Sequence, residues 1–269
     1  MMNIGNREFD VKHHTYVMGI LNVTPDSFSD GGKFCLPEQA LTHAEQMIRE
    51  GADIIDIGGE STRPDYVKVS AEEEMERILP VMRKLKNTFD IPVSVDTYKA
   101  SVAKAALQEG ADLVNDISCL KDEGMAKLIA ESGCAYCLMH NREGKLSEEA
   151  YMQEFIADLK DAADRLWTAG VQKSQVMIDP GIGFAKSYQQ NLQIMKRLDE
   201  LNCFELPVLL GTSRKSVIGL TLDLPVNDRL EGTLATTVYG VMKHCAFVRV
   251  HDIKENVRVI KMIEKILEA

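Results

Sequence analysis

Polar side chains able to grip an anion, a ring edge or a proton recur in this chain directly after short apolar runs. They are Asn22, Asp56, Asp96, Asn115 with Asp116, His140, Asp179, Lys215, and Arg249 with His251. Any one alone reads as a helix cap or a solvated loop residue; recurrence at nearly every such join makes coincidence a poor account. Alternation along an extended strand puts Arg249 and His251 on one face, Ser94 and Asp96 on another, and Met18, Ile20 and Asn22 on a third. Asn115 and Asp116 must point opposite ways, so only one of them can enter a shared site. Arg249-Val-His251, with Arg63 and Lys215 from other loops, suits a phosphate-type anion, because arginine forks around such oxygens and lysine adds a point charge. Asp96, Asp179 and a carboxamide near Lys215 suit paired N–H donors on a flat, guanidine-like ring edge. The same oxygens could instead hold a hard cation such as magnesium.

The stretch Asn22–Gly32 (NVTPDSFSDGG) is long and polar for a connection, and Pro25 with Gly31-Gly32 forbids regular structure. It predicts a loop that binds or covers a ligand, with Asn22 at the strand end and Val23 to Gly32 as a lid carrying Phe28 and Asp30. Other chemistries fit less well. No Gly-x-Gly-x-x-Gly follows the first long strand, Gly181-Ile-Gly183 lacks a third glycine, and Gly211-Thr-Ser-Arg-Lys215-Ser216 lacks the upstream glycine of a phosphate loop. A dinuclear hydrolase would want paired histidines on the first strand, whereas His13, His14, His43 and His244 read as surface or helix residues. Cys134 and Cys137 mimic a redox pair, but three residues apart on a strand they point to opposite faces and read as small buried side chains.

The elements that position these groups follow a beat. Apolar runs at Tyr16–Leu21, Ile54–Ile57, Pro92–Val95, Leu113–Val114, Ala135–Met139, Val176–Ile178, Pro207–Leu210 and Phe247–Val250 predict strands. Charged segments of helical spacing lie between them at Pro37–Glu50, Ala71–Phe89, Lys99–Glu109, Asp122–Glu131, Glu148–Ala169, Tyr188–Leu201, Leu230–Lys243 and Ile253–Leu267. The joins Glu50-Gly-Ala-Asp and Glu109-Gly-Ala-Asp repeat, each glycine suited to the left-handed residue that closes a helix. Short apolar strands alternating with helices need cover on both faces, which implies a parallel sheet. About eight such units without a linker predict a single (β/α)8 barrel over residues 1–269, with residues 1–12 as a hairpin about Gly5-Asn6 that plugs one end.

Bulk properties agree with a small-molecule enzyme. The 269 residues carry a formal net charge of -10, with 45% hydrophobic and 27% charged side chains, which argues against a general nucleic-acid or anionic-membrane binder. The six cysteines form no dense framework and no secretory signal precedes them, favouring a cytoplasmic setting. No apolar stretch approaches the roughly 20 residues of a membrane span.

Seven segments in order and spacing carry a resemblance: Gly19–Gly32, Asp56–Pro64, Ser94–Thr97, Asn115–Ser118, Asp179–Phe184, Gly211–Ser216 and Arg249–Asp252. The chain resembles the dihydropteroate synthases, folate-pathway transferases of the pterin-binding barrel family, almost end to end. That resemblance implies transfer of a dihydropterin methyl group from its diphosphate ester to para-aminobenzoate, releasing pyrophosphate, with inhibition by sulfonamides. It implies that Asp96, Asn115, Asp179 and Lys215 hold the pterin, with Met139, Phe184 and Gly211 lining its pocket. Arg249, His251 and Asn22 are implied at the diphosphate, Asn22 partly through magnesium. Thr62, Arg63, Pro64, Phe28, Asp30, Lys215 and Ser216 are implied around para-aminobenzoate. The catalytic roles fall to Asp96, Lys215, Arg249 and His251, and a homodimer is implied. The chain departs from the family after Pro64, where Asp65-Tyr-Val-Lys68 replaces the usual glycine and alanine-rich turn.

Two rivals share the barrel. A methyltetrahydrofolate-dependent methyltransferase would have no use for the Asn22 loop or the Arg249–His251 pair. A non-catalytic pterin-binding paralogue would have no need of the leaving-group residues.

Overall fold

A computed structural model describes residues 1–24, 36–60 and 68–269. The chain opens with the hairpin β1 (Met2–Ile4) and β2 (Arg7–Phe9), paired antiparallel about Gly5-Asn6. Eight parallel strands follow: β3 (Tyr16–Asn22), β4 (Ile54–Gly58), β5 (Val93–Asp96), β6 (Leu113–Asp116), β7 (Ala135–Met139), β8 (Val176–Asp179), β9 (Leu209–Leu210) and β10 (Phe247–Val250). They pair in chain order from β3 to β8, and β10 pairs with both β3 and β9. A parallel bridge from Ile178 to Val208 joins β8 to β9 and closes the ring. The expected (β/α)8 barrel and its N-terminal hairpin are both present.

The helices around it are α1 (Leu36–Glu50), α2 (Ala71–Thr88), α3 (Ala100–Gln108), α4 (Met125–Ser132), α5 (Tyr151–Thr168), α6 (Tyr188–Lys196), α7 (Ser216–Leu222), α8 (Leu230–Met242) and α9 (Ile253–Leu267). Gly51 and Gly110 adopt φ of +104° and +97°, and the next residue bonds back to close the helix, Ala52 N to Met47 O at 2.9 Å and Ala111 N to Ala106 O at 3.0 Å. The repeated Glu-Gly-Ala-Asp joins therefore end α1 and α3 as expected.

Two expectations shift and one helix is added. The segment predicted from Asp122 becomes helical only at Met125, because the Asp122 carboxylate accepts from Gly124 N and from Ala100 N, both at 2.9 Å, and holds a turn. The segment Tyr188–Leu201 divides: α6 stops at Lys196, Arg197 N bonds to both Gln193 O and Ile194 O, and a 3-10 helix runs Leu198–Phe204. α7 was invisible to periodicity, being seven residues long.

Two cores result. Outward strand residues such as Val17, Ile55, Val95, Val114 and Leu138 pack under the helices. Inward ones, Met18, Ile54, Leu113, Cys137, Met177 and Phe247, fill the barrel and meet Met2, Ile4 and Phe9 of the hairpin. Cys137 is buried there while Cys134 is only partly buried on the helix side, and neither is paired. With the lower barrel plugged by apolar groups, a polar site can form only at the carboxyl ends of the strands.

Phe9 anchors the plug, edge-on to Tyr16 at 4.8 Å and tilted against Phe247 at 5.6 Å. Phe9→Ala is expected to lower unfolding free energy in urea by about 3–5 kcal/mol. A loss under about 1 kcal/mol would mean that the hairpin is not part of the barrel core.

Candidate active site

Strand register decides which polar groups enter the barrel mouth. Ile20, Asp56 and Ser94 stand level across β3, β4 and β5, and one step higher Gly58, Asp96 and Asn115 stand level across β4, β5 and β6. Asn115 Nδ2 donates to Asp56 Oδ2 at 3.2 Å inside the barrel. Asp116 faces outward, accepting from Tyr136 Oη at 2.7 Å and Ser118 Oγ at 2.6 Å. Only one of this pair can face the site, and it is Asn115.

Arg249 lies at the centre. Its Nε donates to Asp56 Oδ2 at 2.6 Å and its Nη2 to Asp96 Oδ2 at 2.5 Å. Burial works against its charge, but the two carboxylates outweigh that and hold the guanidinium above its ordinary value. Burial pushes the Asp96 carboxyl up to about 7, with Arg249 opposing the rise and Asp56 and Glu74 adding to it. Alternation along β10 suggests an open anion donor at Arg249; in the folded chain the Nε and Nη2 edge of its guanidinium is engaged by acids.

The ring-edge cluster assembles on the other side of the mouth. A methyl group built on Gly211 would sit 3.4 Å from Asp179 Oδ2, 3.7 Å from Lys215 Nζ and 3.9 Å from Arg249 Cβ, so these three groups converge on that glycine. On Gly58 it would sit 3.6 Å from Asn22 Oδ1 and 3.7 Å from Asp96 Oδ2, which places Asn22 beside Asp96. Lys215 Nζ donates to Ile182 O at 2.7 Å and lies 4.8 Å over the Phe184 ring. Burial draws the Lys215 ammonium down to about 8 against the pull of Asp179, and burial likewise raises Asp179. Met139 is buried level with Asp179. His251 is partly buried; Ser213 Oγ lies 3.0 Å from its Nδ1 and accepts its backbone N–H at 3.2 Å. Ser216 begins α7 and is exposed.

Phe28, Asp30, Thr62, Arg63 and Pro64 fall outside the described residues, as does most of the stretch expected to form a lid. Its first residue does not belong to a lid: Val23 is buried and its N–H donates to Gly58 O at 2.8 Å, prolonging the β3 edge. Asp56 is marked in the sequence only as a strand-end acid, and Ser94 and Ser213 carry no such mark. The signal for Asp56 was an acid on an otherwise apolar strand sharing parity with the inward Ile54.

Three buried atoms around this cluster, Asp56 Oδ1, Ser94 Oγ and Asn115 Oδ1, have no hydrogen-bond partner among the described residues. Orphaned polar atoms at a strand-end mouth are what a flat polar ligand with several donors would satisfy. Among the described residues no group of three His, Cys, Asp or Glu could hold a metal ion.

Residues 18–251 match the family described as pterin binding enzyme. The dihydropteroate synthase of Clostridium beijerinckii is 53% identical over 268 residues, covering 99% of each chain. A dihydropteroate synthase from Clostridium difficile, solved in the presence of pteroic acid, superposes with a TM-score of 0.94 at 46% identity, covering 97% of this chain and all of that one. The Yersinia pestis dihydropteroate synthase, solved as a sulfonamide drug complex, gives 0.92 at 40% identity, covering 100% of this chain and 99% of that one.

Removing Arg249 tests the electrostatics. Arg249→Met leaves Asp56 and Asp96 facing each other, a loss of about 3–5 kcal/mol near neutral pH. The raised Asp96 pKa means that the folded chain holds a proton the unfolded chain has released, so stability from this group falls as pH rises through 4 to 7 and beyond as the pKa climbs further. Thermal unfolding should therefore show a larger deficit at pH 8 than at pH 6; equal deficits would contradict the pairing.

Proposed function

This chain belongs to the family of pterin binding enzymes, and we propose from that premise that it acts as a dihydropteroate synthase. It is a transferase of folate biosynthesis that joins the methylene carbon of 6-hydroxymethyl-7,8-dihydropterin diphosphate to the amine of para-aminobenzoate, and sulfonamides compete for it. The observation that carries this reading is the convergence of Asp96, Asn115, Asp179 and Lys215 with Arg249 at one barrel mouth. The whole chain, 1–269, is taken as one pterin-binding domain.

Residue roles follow from chemistry. Asp96 and Asp179 accept the paired N–H donors of the pterin ring, while Asn115 and Lys215 meet its remaining donors and acceptors. Met139, Phe184 and Gly211 form the walls, Gly211 because a Cβ there would already stand at van der Waals distance from the ring-binding groups Asp179 and Lys215. Asp96 Oδ2 accepts from Arg249 in the free chain. A ring that presents its own donors to that carboxylate releases Nη2 toward the diphosphate, while the Nε bond to Asp56 keeps the guanidinium in place. Arg249 and His251 then stabilise the departing diphosphate, which takes the C–O electron pair. Asp96 and the ring's own electrons stabilise the cationic methylene left behind. The aromatic amine forms the new C–N bond and loses its proton to solvent. Thr62, Arg63, Pro64, Phe28, Asp30 and Ser216 are assigned to para-aminobenzoate.

Magnesium fits as a companion of the diphosphate. Among the described residues Asp56, Asp96 and Asp179 outnumber the cations Arg249 and Lys215 in the mouth, so an incoming diphosphate calls for countercharge. Asn22 offers one hard oxygen beside Asp96, and magnesium is commonly held by few protein ligands and substrate phosphates. Bound there, it would neutralise charge on the leaving group.

A homodimer is proposed because Leu220, Leu222 and Val226, on α7 and the turn after it, are exposed apolar side chains close in sequence. Among the described residues no helix is long and apolar enough to cross a membrane. A cytoplasmic setting is supported by the free state of the five described cysteines.

Incubation with the dihydropterin diphosphate, para-aminobenzoate and magnesium is expected to release pyrophosphate and form dihydropteroate in equal amounts. A sulfonamide should raise the apparent KM for para-aminobenzoate without lowering kcat. Folded protein that releases no pyrophosphate would contradict the assignment and favour a non-catalytic pterin binder.

A further inference from the structure

His140 is a strand-end residue that the reaction does not use. It is fully buried at the end of β7, and its Nε2 lies 3.1 Å from Asp158 Oδ2 on α5. Its Nδ1 lies 2.8 Å from Lys186 Nζ, from the loop after β8. An ammonium can only donate, so Nδ1 accepts and the ring proton resides on Nε2, directed at the Asp158 carboxylate. Burial, with the charges of Lys186 and Arg142, holds the imidazole down to about 2, so it stays neutral.

The other two hydrogens of Lys186 have partners in the loop. Nζ donates to Gly181 O and to Phe184 O, each at 2.9 Å. Gly181 is pressed onto β7: its φ is +63°, and a Cβ there would lie 1.9 Å from His140 O. The segment 181–184 carries pocket contacts at three of its four residues. Gly181 N donates to Asp179 Oδ1 at 2.7 Å, Ile182 O accepts Lys215 Nζ, and the Phe184 ring lies under the same ammonium. One lysine therefore grips this loop from below and another from the pocket side.

We propose that Asp158, His140 and Lys186 form a carboxylate–imidazole–ammonium relay whose role is to position residues 181–184, and through them Asp179 and Lys215, for the pterin ring. All three are positioning residues, since none faces the ring itself. The relay brings a countercharge to a partly buried ammonium without placing a second carboxylate beside Asp179, where it would raise the pKa of the acid that must accept from the ring. Burial draws Lys186 down to about 7, with Asp179 and Asp158 supporting its charge and Lys215 opposing it, so loss of the relay costs the loop its donor as well as its anchor.

The inference rests on the pterin reading of the pocket, and its test separates the two. Four variants are compared: Lys186→Met, His140→Leu, His140→Gln and Asp158→Ala. Lys186→Met and His140→Leu should raise the KM for the dihydropterin diphosphate about tenfold, with the KM for para-aminobenzoate within about twofold and kcat lowered less than about threefold. Asp158→Ala, on the outer helix, should raise the same KM about threefold. His140→Gln should recover most of the loss, because its amide nitrogen can donate to Asp158 while its oxygen accepts from Lys186. A packing role would be served as well by leucine, so equal impairment of His140→Gln and His140→Leu overturns the relay. So does an unchanged pterin KM in Lys186→Met and Asp158→Ala, or an equal rise for both substrates. If Lys186→Met fails to fold, the His140 pair and Asp158→Ala decide. Calorimetric binding of 6-hydroxymethylpterin reads the same differences without turnover. A wild-type chain that binds the pterin but makes no product would sink the reaction and leave the relay standing.

Discussion

A guanidinium held between two carboxylates inside the barrel mouth is the constraint on which the site depends. Asp56 and Asp96 come from adjacent strands and Arg249 from β10, and each would be costly to bury alone. Together they satisfy most of one another's charge, and in doing so fix where β4, β5 and β10 place their upper residues. Asp179 and Lys215 form the matching acid and base across the mouth, next to the same glycine that meets the base of Arg249. Among the described residues, Arg249 and Lys215 each stand beside an acid. Ring recognition and anion recognition are consequently linked, because a ring that engages Asp96 competes with Arg249 for it.

The lower barrel and the upper mouth divide by chemistry. Below, Met18, Ile54, Leu113, Met177 and Phe247 close on the hairpin and exclude water. Above, the same strands end in acids, amides and bases, so the low-dielectric floor strengthens every charged contact that stands on it. The shifted values of Asp96 and Lys215 both have burial as their first cause. A transferase that must hold a cationic methylene and expel an anion gains from such a setting, since its charges are oriented before the substrate arrives.

Much of this was legible in the sequence. The eight apolar runs became eight strands because each is too short and too apolar to be anything but a strand covered on both faces, and Ala135–Met139 and Phe247–Val250 match to the residue. Period-2 alternation also limited the Asn115–Asp116 pair to one site residue and put Ser94 with Asp96 on one face; the folded chain shows that Asn115 is the one inside. What alternation cannot supply is pairing between strands far apart in sequence. It could show Arg249 facing inward, but not that Asp56, 193 positions away, would take its Nε. Lys186 and His140 were hidden for the same reason, since 46 residues separate two atoms 2.8 Å apart. Asp122 and α7 escaped because a side-chain-capped turn and a seven-residue helix leave too little pattern to read.

The central claim is that the mouth divides its substrate, with the acids and amide taking the ring and Arg249 taking the diphosphate. Calorimetric affinities of the wild-type chain and Arg249→Met for 6-hydroxymethylpterin and for its diphosphate ester, with magnesium at pH 6, test this most directly. The predicted result is that the alcohol binds both proteins within about threefold, whereas most of the extra affinity conferred by the diphosphate is lost in the variant. An equal weakening of both ligands would contradict the division and make Arg249 a ring-binding or purely structural residue.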